Sequence, residues 1–130
     1  MKLLLDTQVA IWALTAPQRL SQRGRELIDD ENNEIIVSAA SVWEIAIKFA
    51  LGKRSGAPPF SGADALKYFR AAGYHLLSIT AEHTAAVDSL PPLHADPFDR
   101  MLLAQALHEP LRLATADTIL ASYDEHIIRV

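Results

Sequence analysis

The sequence predicts an α/β fold: a three-layer α/β/α sandwich around a mostly parallel central sheet. Short apolar runs rich in Leu, Ile and Val alternate with longer segments of helical periodicity. The short runs are apolar almost throughout, which is typical of strands covered on both faces. Because 130 residues are the length of one ordinary domain, we expect a single domain over residues 1–130.

Strands are predicted at the brief apolar runs, which occupy residues 2–5, 34–38, 75–79, 111–115 and 126–130. Helices are predicted at 7–14, 18–30, 40–52, 62–72, 80–90, 97–108 and 117–123. The stretches GKRSGAPPFSG (52–62) and SLPPLHADP (89–97) interrupt these patterns with Gly and Pro, so both are predicted loops. Alternation of strands and helices favours a parallel sheet between helical layers.

Composition excludes several classes of protein. Half of the residues are hydrophobic and 22% are charged, as in compact globular domains. No apolar run reaches the roughly 18 residues of a membrane span, and MKLLLD is too short for a secretory signal, so we expect a cytoplasmic protein without membrane contact. Without cysteine, disulfides and cysteine-bound zinc are excluded, and any metal must bind oxygen or imidazole.

The net charge of −4 argues against binding nucleic acid through bulk positive charge. The densest basic cluster is Lys48, Lys53 and Arg54. These residues either complement the end of a helix or form a local patch that guides a nucleic-acid strand.

Acidic residues occur where predicted strands end. Asp6 ends the first strand, Glu44 follows the second, Asp99 opens the helix before the fourth, and Asp117 follows the fourth. Ligands of open parallel sheets bind beyond the carboxyl ends of the strands. We therefore expect the four acids to converge at one edge of the sheet.

Each acid also has a structural interpretation. Asp6 and Asp117 are suited to capping the helices that follow them. Glu44 stands three residues after Ser41, as in a capping box, and four before Lys48, as in a helical ion pair. Sequence alone leaves these alternatives open.

Asp99 is harder to explain as a surface residue. Asp96 and Pro97 already form a helix entrance, since Asp caps well and Pro fits the first helical position. The face of Asp99 is shared by apolar residues at helical spacing, namely Leu102, Leu103 and Ala106. A carboxylate on a core-facing stripe is costly unless a metal ion or Arg100 compensates its charge.

Converging carboxylates repel one another, and some would take up protons at neutral pH unless a cation lay among them. An all-oxygen site favours Mg²⁺, with Mn²⁺ as a substitute. Such an ion can polarise a phosphodiester and lower the pKa of water.

Four blocks give the chain a resemblance to a known family: LLLDTQVAIWAL, VSAASVWEIAIKFALGK, LPPLHADPFDRMLLAQAL and LATADTILASY. In this order they resemble the PIN-domain nucleases, and within them the VapC-type toxins of toxin–antitoxin pairs. The resemblance implies an α/β/α sandwich and a metal-dependent ribonuclease with an acidic site.

The resemblance places the family's catalytic and metal-binding acids at Asp6, Glu44, Asp99 and Asp117. It implies supporting roles for Thr115, which matches a hydroxyl residue beside the fourth acid, and for Asp96, which is frequent in the closest subgroup. Arg100 is a further supporting residue, expected to guide the RNA strand.

The resemblance also implies a mechanism and partners. One or two Mg²⁺ ions would support hydrolysis of RNA to 5′-phosphate and 3′-hydroxyl ends. A VapB-type antitoxin would cover the site, and two copies of the chain would form a homodimer. Trp12, Trp43 and Phe98 are candidates for apolar contact surface, although core packing is the expected role of these side chains.

Other functions fit less well. A haloacid-dehalogenase-type phosphatase needs an acid two residues after Asp6, where Gln8 stands, and a phosphate-binding loop needs a glycine at Ile47. The histidines show no metal-ligand spacing, and His94 reads as a surface or capping residue. The alternatives that stay open are a PIN-like protein-binding module with little nuclease activity and a housekeeping RNA-processing nuclease.

Overall fold

The computed structural model describes residues 1–52, 56–92 and 96–130, and its strands form one sheet. The strands are β1 (Lys2–Leu5), β2 (Glu34–Ser38), β3 (His75–Leu77), β4 (Arg112–Thr115) and β5 (Ile128–Arg129). Their order is β3-β2-β1-β4-β5, and every neighbouring pair is parallel. The predicted α/β class is confirmed, with a sheet that is parallel at each described pairing.

Helices connect the strands. They are α1 (Thr7–Thr15), α2 (Gln22–Asp29), α3 (Ala39–Ala50), α4 (Gly62–Ala71), α5 (Ala81–Ala86), α6 (Pro97–His108) and α7 (Thr118–Ala121). No helix among the described residues is long and apolar enough to cross a membrane.

Two predicted helices are wrong in part. In the predicted helix 18–30, Pro17–Arg19 form a 3-10 turn, and the side chain of Ser21 accepts a hydrogen bond from the Gly24 amide, so α2 begins at Gln22. The predicted helix 80–90 tightens into a 3-10 turn at Val87–Ser89. Capping and short turns, rather than the apolar spacing, therefore set these helix ends.

The side chains of β1 separate the two helical layers. Leu3 and Leu5 pack in one apolar cluster with residues of α1, α3 and α4. Leu4 packs in a second cluster with residues of α6 and α7. All three leucines are fully buried, so β1 is the centre of the sandwich.

Helices α3 and α4 approach closely where Gly62 meets Ala46. A Cβ atom on Gly62 would lie 2.7 Å from the Ala46 Cβ. The absence of a side chain at Gly62 thus allows the two helices to pack against each other.

The parallel sheet determines where the helices begin. Asp6 follows β1 directly, Ser38 ends β2, and Asp117 lies two residues after β4. The helices α1, α3 and α7 consequently start at the same edge of the sheet, beyond the carboxyl ends of the strands.

Candidate functional site

A cavity of about 290 Å³ contains all four acids predicted from the sequence. We call it the acidic cavity; its described lining residues are Asp6, Thr7, Gln8, Glu44, Lys48, Asp96, Asp99, Ala116 and Asp117. The acids come from four separate segments: the starts of α1, α6 and α7, and the middle of α3. Folding therefore brings together carboxylates that are far apart in sequence.

Asp6 is held from two sides. Its Oδ1 accepts a hydrogen bond from the Val9 amide at 2.8 Å, which caps α1, and its Oδ2 accepts a short one from the Thr115 hydroxyl. The Thr115 oxygen in turn accepts a bond from the Asp117 amide at 3.0 Å. Thr115 is fully buried and so connects the acid after β1 with the loop after β4.

The surroundings of Asp6 disfavour its negative charge. Burial raises the pKa of Asp6 to about 6, and the charges of Asp99 and Glu44 act in the same direction. The hydrogen bonds from Thr115 and Val9 lower the pKa but do not outweigh burial. Without a cation nearby, a negative charge on Asp6 is therefore energetically unfavourable in the acidic cavity.

Asp117 combines a cap with a place in the cavity. Its Oδ1 accepts hydrogen bonds from the amides of Ile119 at 2.8 Å and Leu120 at 3.2 Å, at the start of α7. Capping and participation in the acidic site, which the sequence presented as alternatives, therefore coexist at Asp6 and Asp117.

Glu44 lies in the second turn of α3 and is only 7% exposed. The predicted capping box with Ser41 is wrong, because α3 begins earlier: Ser38 caps it by accepting a hydrogen bond from the Ala40 amide. The predicted ion pair is present, with Lys48 Nζ 2.5 Å from Glu44 Oε2.

Lys48 interacts electrostatically with more than one acid. Partial burial lowers the pKa of Lys48, but the hydrogen bond and charge of Glu44 and the charges of Asp96 and Asp99 together raise it above the ordinary value. The ammonium group of Lys48 is thus stabilised in its charged form by acids that line the acidic cavity.

Both aspartates at the start of α6 line the acidic cavity, and Asp96 also caps the helix. Asp96 Oδ1 accepts hydrogen bonds from the amides of Phe98 at 2.8 Å and Asp99 at 3.1 Å, and Pro97 is the first helical residue. Asp96 is therefore the helix cap expected from the sequence. The residues expected on the core-facing side are buried: Leu102, Leu103 and Ala106.

Arg100 does not line the acidic cavity. Its guanidinium donates hydrogen bonds to the carbonyl oxygens of Val87 at 3.0 Å and Pro91 at 3.1 Å, so it binds the chain that follows α5. The other predicted basic residues, Lys53 and Arg54, lie outside the described residues, as does His94.

Two polar lining residues, and the apolar Ala116, were missed by sequence reasoning. Thr7 and Gln8 follow Asp6 in the first turn of α1 and therefore share its edge of the sheet. The Thr7 hydroxyl donates a hydrogen bond to Ser41 Oγ at 2.9 Å, and both residues are buried. Their position directly after the first acid was the only signal in the sequence.

An apolar groove of about 660 Å³ lies on the α3 and α4 side of the molecule, lined by Trp43, Phe49 and Leu66 among others. Trp43 is 59% exposed and contacts Phe98 edge to face, with ring centroids 5.2 Å apart. Core packing was therefore the wrong expectation for Trp43. By contrast, Trp12 is half-buried against the core, as expected.

Three potential metal ligands, His83, His108 and Glu109, also lie together among the described residues, although the spacing of the histidines did not predict this. They are at the opposite end of α6 from Asp99. His83 Nδ1 accepts a hydrogen bond from the Thr80 amide, so its proton is on Nε2, which donates to Glu109 at 2.7 Å. A metal at Nε2 would replace this proton and, because Nδ1 accepts from the Thr80 amide, would leave a negatively charged imidazolate ring, so this cluster is better described as a hydrogen-bond network.

Comparison with known proteins identifies the family. A family model described as PIN domain matches residues 3–126. Ribonuclease VapC22 of Mycobacterium tuberculosis is 32% identical over 123 residues, covering 92% of this chain and 90% of the relative. Ribonuclease VapC16 of the same organism is 41% identical over 61 residues, covering 47% of this chain and 43% of the relative.

Solved structures share the fold. VapBC2 from Rickettsia felis, bound to a DNA fragment from the promoter, has a TM-score of 0.71 at 18% identity and covers 100% of this chain and 98% of its own. FitAcB from Neisseria gonorrhoeae has a TM-score of 0.63 at 20% identity, with coverages of 98% and 96%. The predicted resemblance is thus confirmed: the chain belongs to the PIN-domain family, in the group of the VapC ribonucleases.

Proposed function

We propose that the chain is a metal-dependent endoribonuclease that hydrolyses RNA in the acidic cavity and acts as the toxin of a toxin–antitoxin pair. The observation that carries this proposal is the meeting of four acids from four segments in one cavity of a PIN-domain chain. The relative that aligns along 92% of the chain is named a ribonuclease, which supports RNA as the substrate.

The residues of the cavity fit a divalent cation. Asp6, Glu44, Asp99 and Asp117 offer carboxylate oxygens, the donors that Mg²⁺ and Mn²⁺ prefer. The raised pKa of Asp6 supports the fit, because a cation among the acids would compensate the burial and the lesser repulsion that disfavour its charge. When bound, the ion would polarise the scissile phosphodiester and make water more acidic at the site.

The chain's own contribution is to hold the acids in place before ligands arrive. The α1 amide and the Thr115 hydroxyl fix Asp6, and the first amides of α7 fix Asp117. Asp96 fixes the start of α6 and thereby the backbone of Asp99. Carboxylates that are already oriented lose less conformational freedom on binding, so we assign supporting roles to Thr115 and Asp96.

We also propose that a VapB-type antitoxin covers the acidic cavity and the apolar groove, and that the toxin forms a homodimer in the cytoplasm. Helix α3 supports the first part, because it contributes Glu44 and Lys48 to the cavity and Trp43 and Phe49 to the groove. One partner segment that follows α3 would therefore contact both sites. Solved structures of the same fold include a toxin–antitoxin complex from Klebsiella pneumoniae and VapBC-1 from nontypeable Haemophilus influenzae, which supports a partner of this kind.

Cleavage of RNA tests the nuclease directly. We expect the purified chain, free of antitoxin, to cut a pool of structured RNAs with Mg²⁺ and to leave 5′-phosphate ends, and we expect EDTA to stop the reaction. Asp99→Asn should abolish cleavage, because it removes a cation ligand. Asp96→Asn should weaken it about tenfold, because Asn still caps α6 but the charge is lost.

Gel analysis of the cleaved pool decides between the outcomes. Cleavage that persists in EDTA or in Asp99→Asn would contradict the metal-nuclease proposal and favour another chemistry. Equal losses from the Asp96→Asn and Asp99→Asn variants would show that Asp96 also acts as a ligand. A stable protein without any cleavage would favour the protein-binding module.

Growth measurements test the role as a toxin. We expect expression of the chain in a bacterial host to arrest growth, because uncontrolled RNA cleavage is harmful, and Asp6→Ala to permit growth at the same protein level. Immunoblots provide the control for accumulation. If cells grow equally well with either protein at equal levels, a housekeeping nuclease becomes the better description.

The stability of the metal-free protein should depend on Asp6. Its folded-state pKa of about 6 lies above the ordinary value of 3.8, so its contribution to stability is present below pH 4 and is lost as the pH rises through 6. In EDTA, we expect Asp6→Asn to be more stable than the unmodified protein at pH 8, by up to about 3 kcal/mol. The gain should vanish near pH 4.

Denaturant unfolding at several pH values measures this difference. Asn at position 6 keeps an oxygen for the Val9 amide, so the cap is retained. Asp88→Asn, at an exposed aspartate outside the acidic cavity, is the control and should change stability by less than about 0.5 kcal/mol at each pH. A gain for Asp6→Asn that is absent or independent of pH would contradict the expected cost of a buried negative charge at Asp6.

A further inference from the structure

Lys48 is the one basic side chain among the described residues that line the acidic cavity. Its Nζ lies 2.5 Å from Glu44 Oε2, one helical turn away on α3. The charges of Asp96 and Asp99 also act on it. The ammonium group of Lys48 therefore already lies beside Glu44, where a divalent cation would have to bind.

The Glu44 and Lys48 pair has the spacing of an ordinary ion pair between neighbouring helical turns but differs from it in the burial of Glu44. Ordinary pairs of this spacing join exposed residues and contribute little to stability. Here Glu44 is 7% exposed and faces further acids, so its charge needs compensation. The side chain of Lys48 is 49% exposed on a flexible stem, and it can leave Glu44 without any movement of the backbone.

We propose that Lys48 is an internal counter-ion that competes with the divalent cation for Glu44 and then binds a phosphate of the RNA. In the cation-free protein the ammonium group neutralises Glu44. When a cation binds the acids, its charge repels the ammonium group, which turns toward the opening of the cavity. This inference rests on the proposed function of the acidic cavity as a cation site.

Competition and substrate binding are coupled in this arrangement. Lys48 lowers the affinity for the cation, because Glu44 must exchange one partner for another. The released ammonium group then contributes one positive charge to the binding of the RNA backbone. This local charge matters because the protein as a whole is acidic, with a net charge of −4. The protein would thus favour RNA binding after its cation site has been filled.

Calorimetric titration with Mn²⁺ in the absence of RNA tests the competition. We expect Lys48→Met to bind Mn²⁺ about tenfold more tightly than the unmodified protein, a typical size for coupling between sites. Lys67→Met is the matched control, since Lys67 is exposed on α4 and does not line the acidic cavity, and its affinity should be unchanged. Lys48→Gln gives the same comparison with a polar side chain.

Thermal unfolding provides a second readout that does not depend on activity. In EDTA, Lys48→Met should unfold at a lower temperature than the unmodified protein, because Glu44 has lost its counter-ion. Saturating Mn²⁺ should raise its Tm by more than it raises the Tm of the unmodified protein. With Mn²⁺ present, KM for RNA should rise in Lys48→Met, and its salt dependence should fall by about one phosphate contact.

The outcomes separate this inference from the proposed function. Equal Mn²⁺ affinities in the unmodified protein, Lys48→Met and Lys48→Gln would overturn the counter-ion role while leaving the cation site intact. Absence of Mn²⁺ binding by the unmodified protein would instead contradict the proposed function. Tighter Mn²⁺ binding in Lys67→Met as well would show only a general effect of net charge and would also overturn the specific role of Lys48.

Discussion

The carboxylate of Asp6, bonded to the Val9 amide and the Thr115 hydroxyl, is the contact that connects the sheet to the site. It follows the most central strand, and its partner Thr115 ends the neighbouring strand β4. Because β1 and β4 are parallel, both ends meet at one edge, where Asp117 begins α7. Loss of this register would separate two of the four acids.

A buried negative charge, with repulsion among the acids as a lesser contribution, is the energetic consequence of this geometry. The buried position of Asp6 and its proximity to Asp99 and Glu44 raise its pKa, so the site is strained electrostatically without a cation. Hydrogen bonds from helix amides and the nearby ammonium group of Lys48 offset part of this cost. The same elements keep the carboxylates oriented, which connects the stability of the site to its proposed chemistry.

Much of this arrangement could be predicted from local sequence. The apolar runs located the strands, and the acids at their ends located the site, because a parallel sheet gathers its carboxyl ends at one edge. Asp96 with Pro97 was a clear helix start, and the Glu44 and Lys48 pair followed from helical spacing. These features depend on a few neighbouring residues.

Other features depend on distant parts of the chain. Ser38 rather than Ser41 caps α3, because β2 ends at Ser38 and the helix begins directly after it. The spacing between Ser41 and Glu44 could not reveal where the strand ends. Trp43 is 59% exposed at the apolar groove although Phe98 contacts its ring, and this depends on how α3, α4 and α6 pack. His83 and His108 meet only because α5 packs against the end of α6.

Anomalous diffraction from crystals grown with Mn²⁺ would show whether the four acids form one cation site. Such a site predicts at least one Mn²⁺ peak within coordination distance of carboxylates of Asp6, Glu44, Asp99 and Asp117. It also predicts that the Lys48 ammonium group has moved away from Glu44. A peak at His83 and Glu109 instead, or no peak beside the four acids at saturating Mn²⁺, would contradict it.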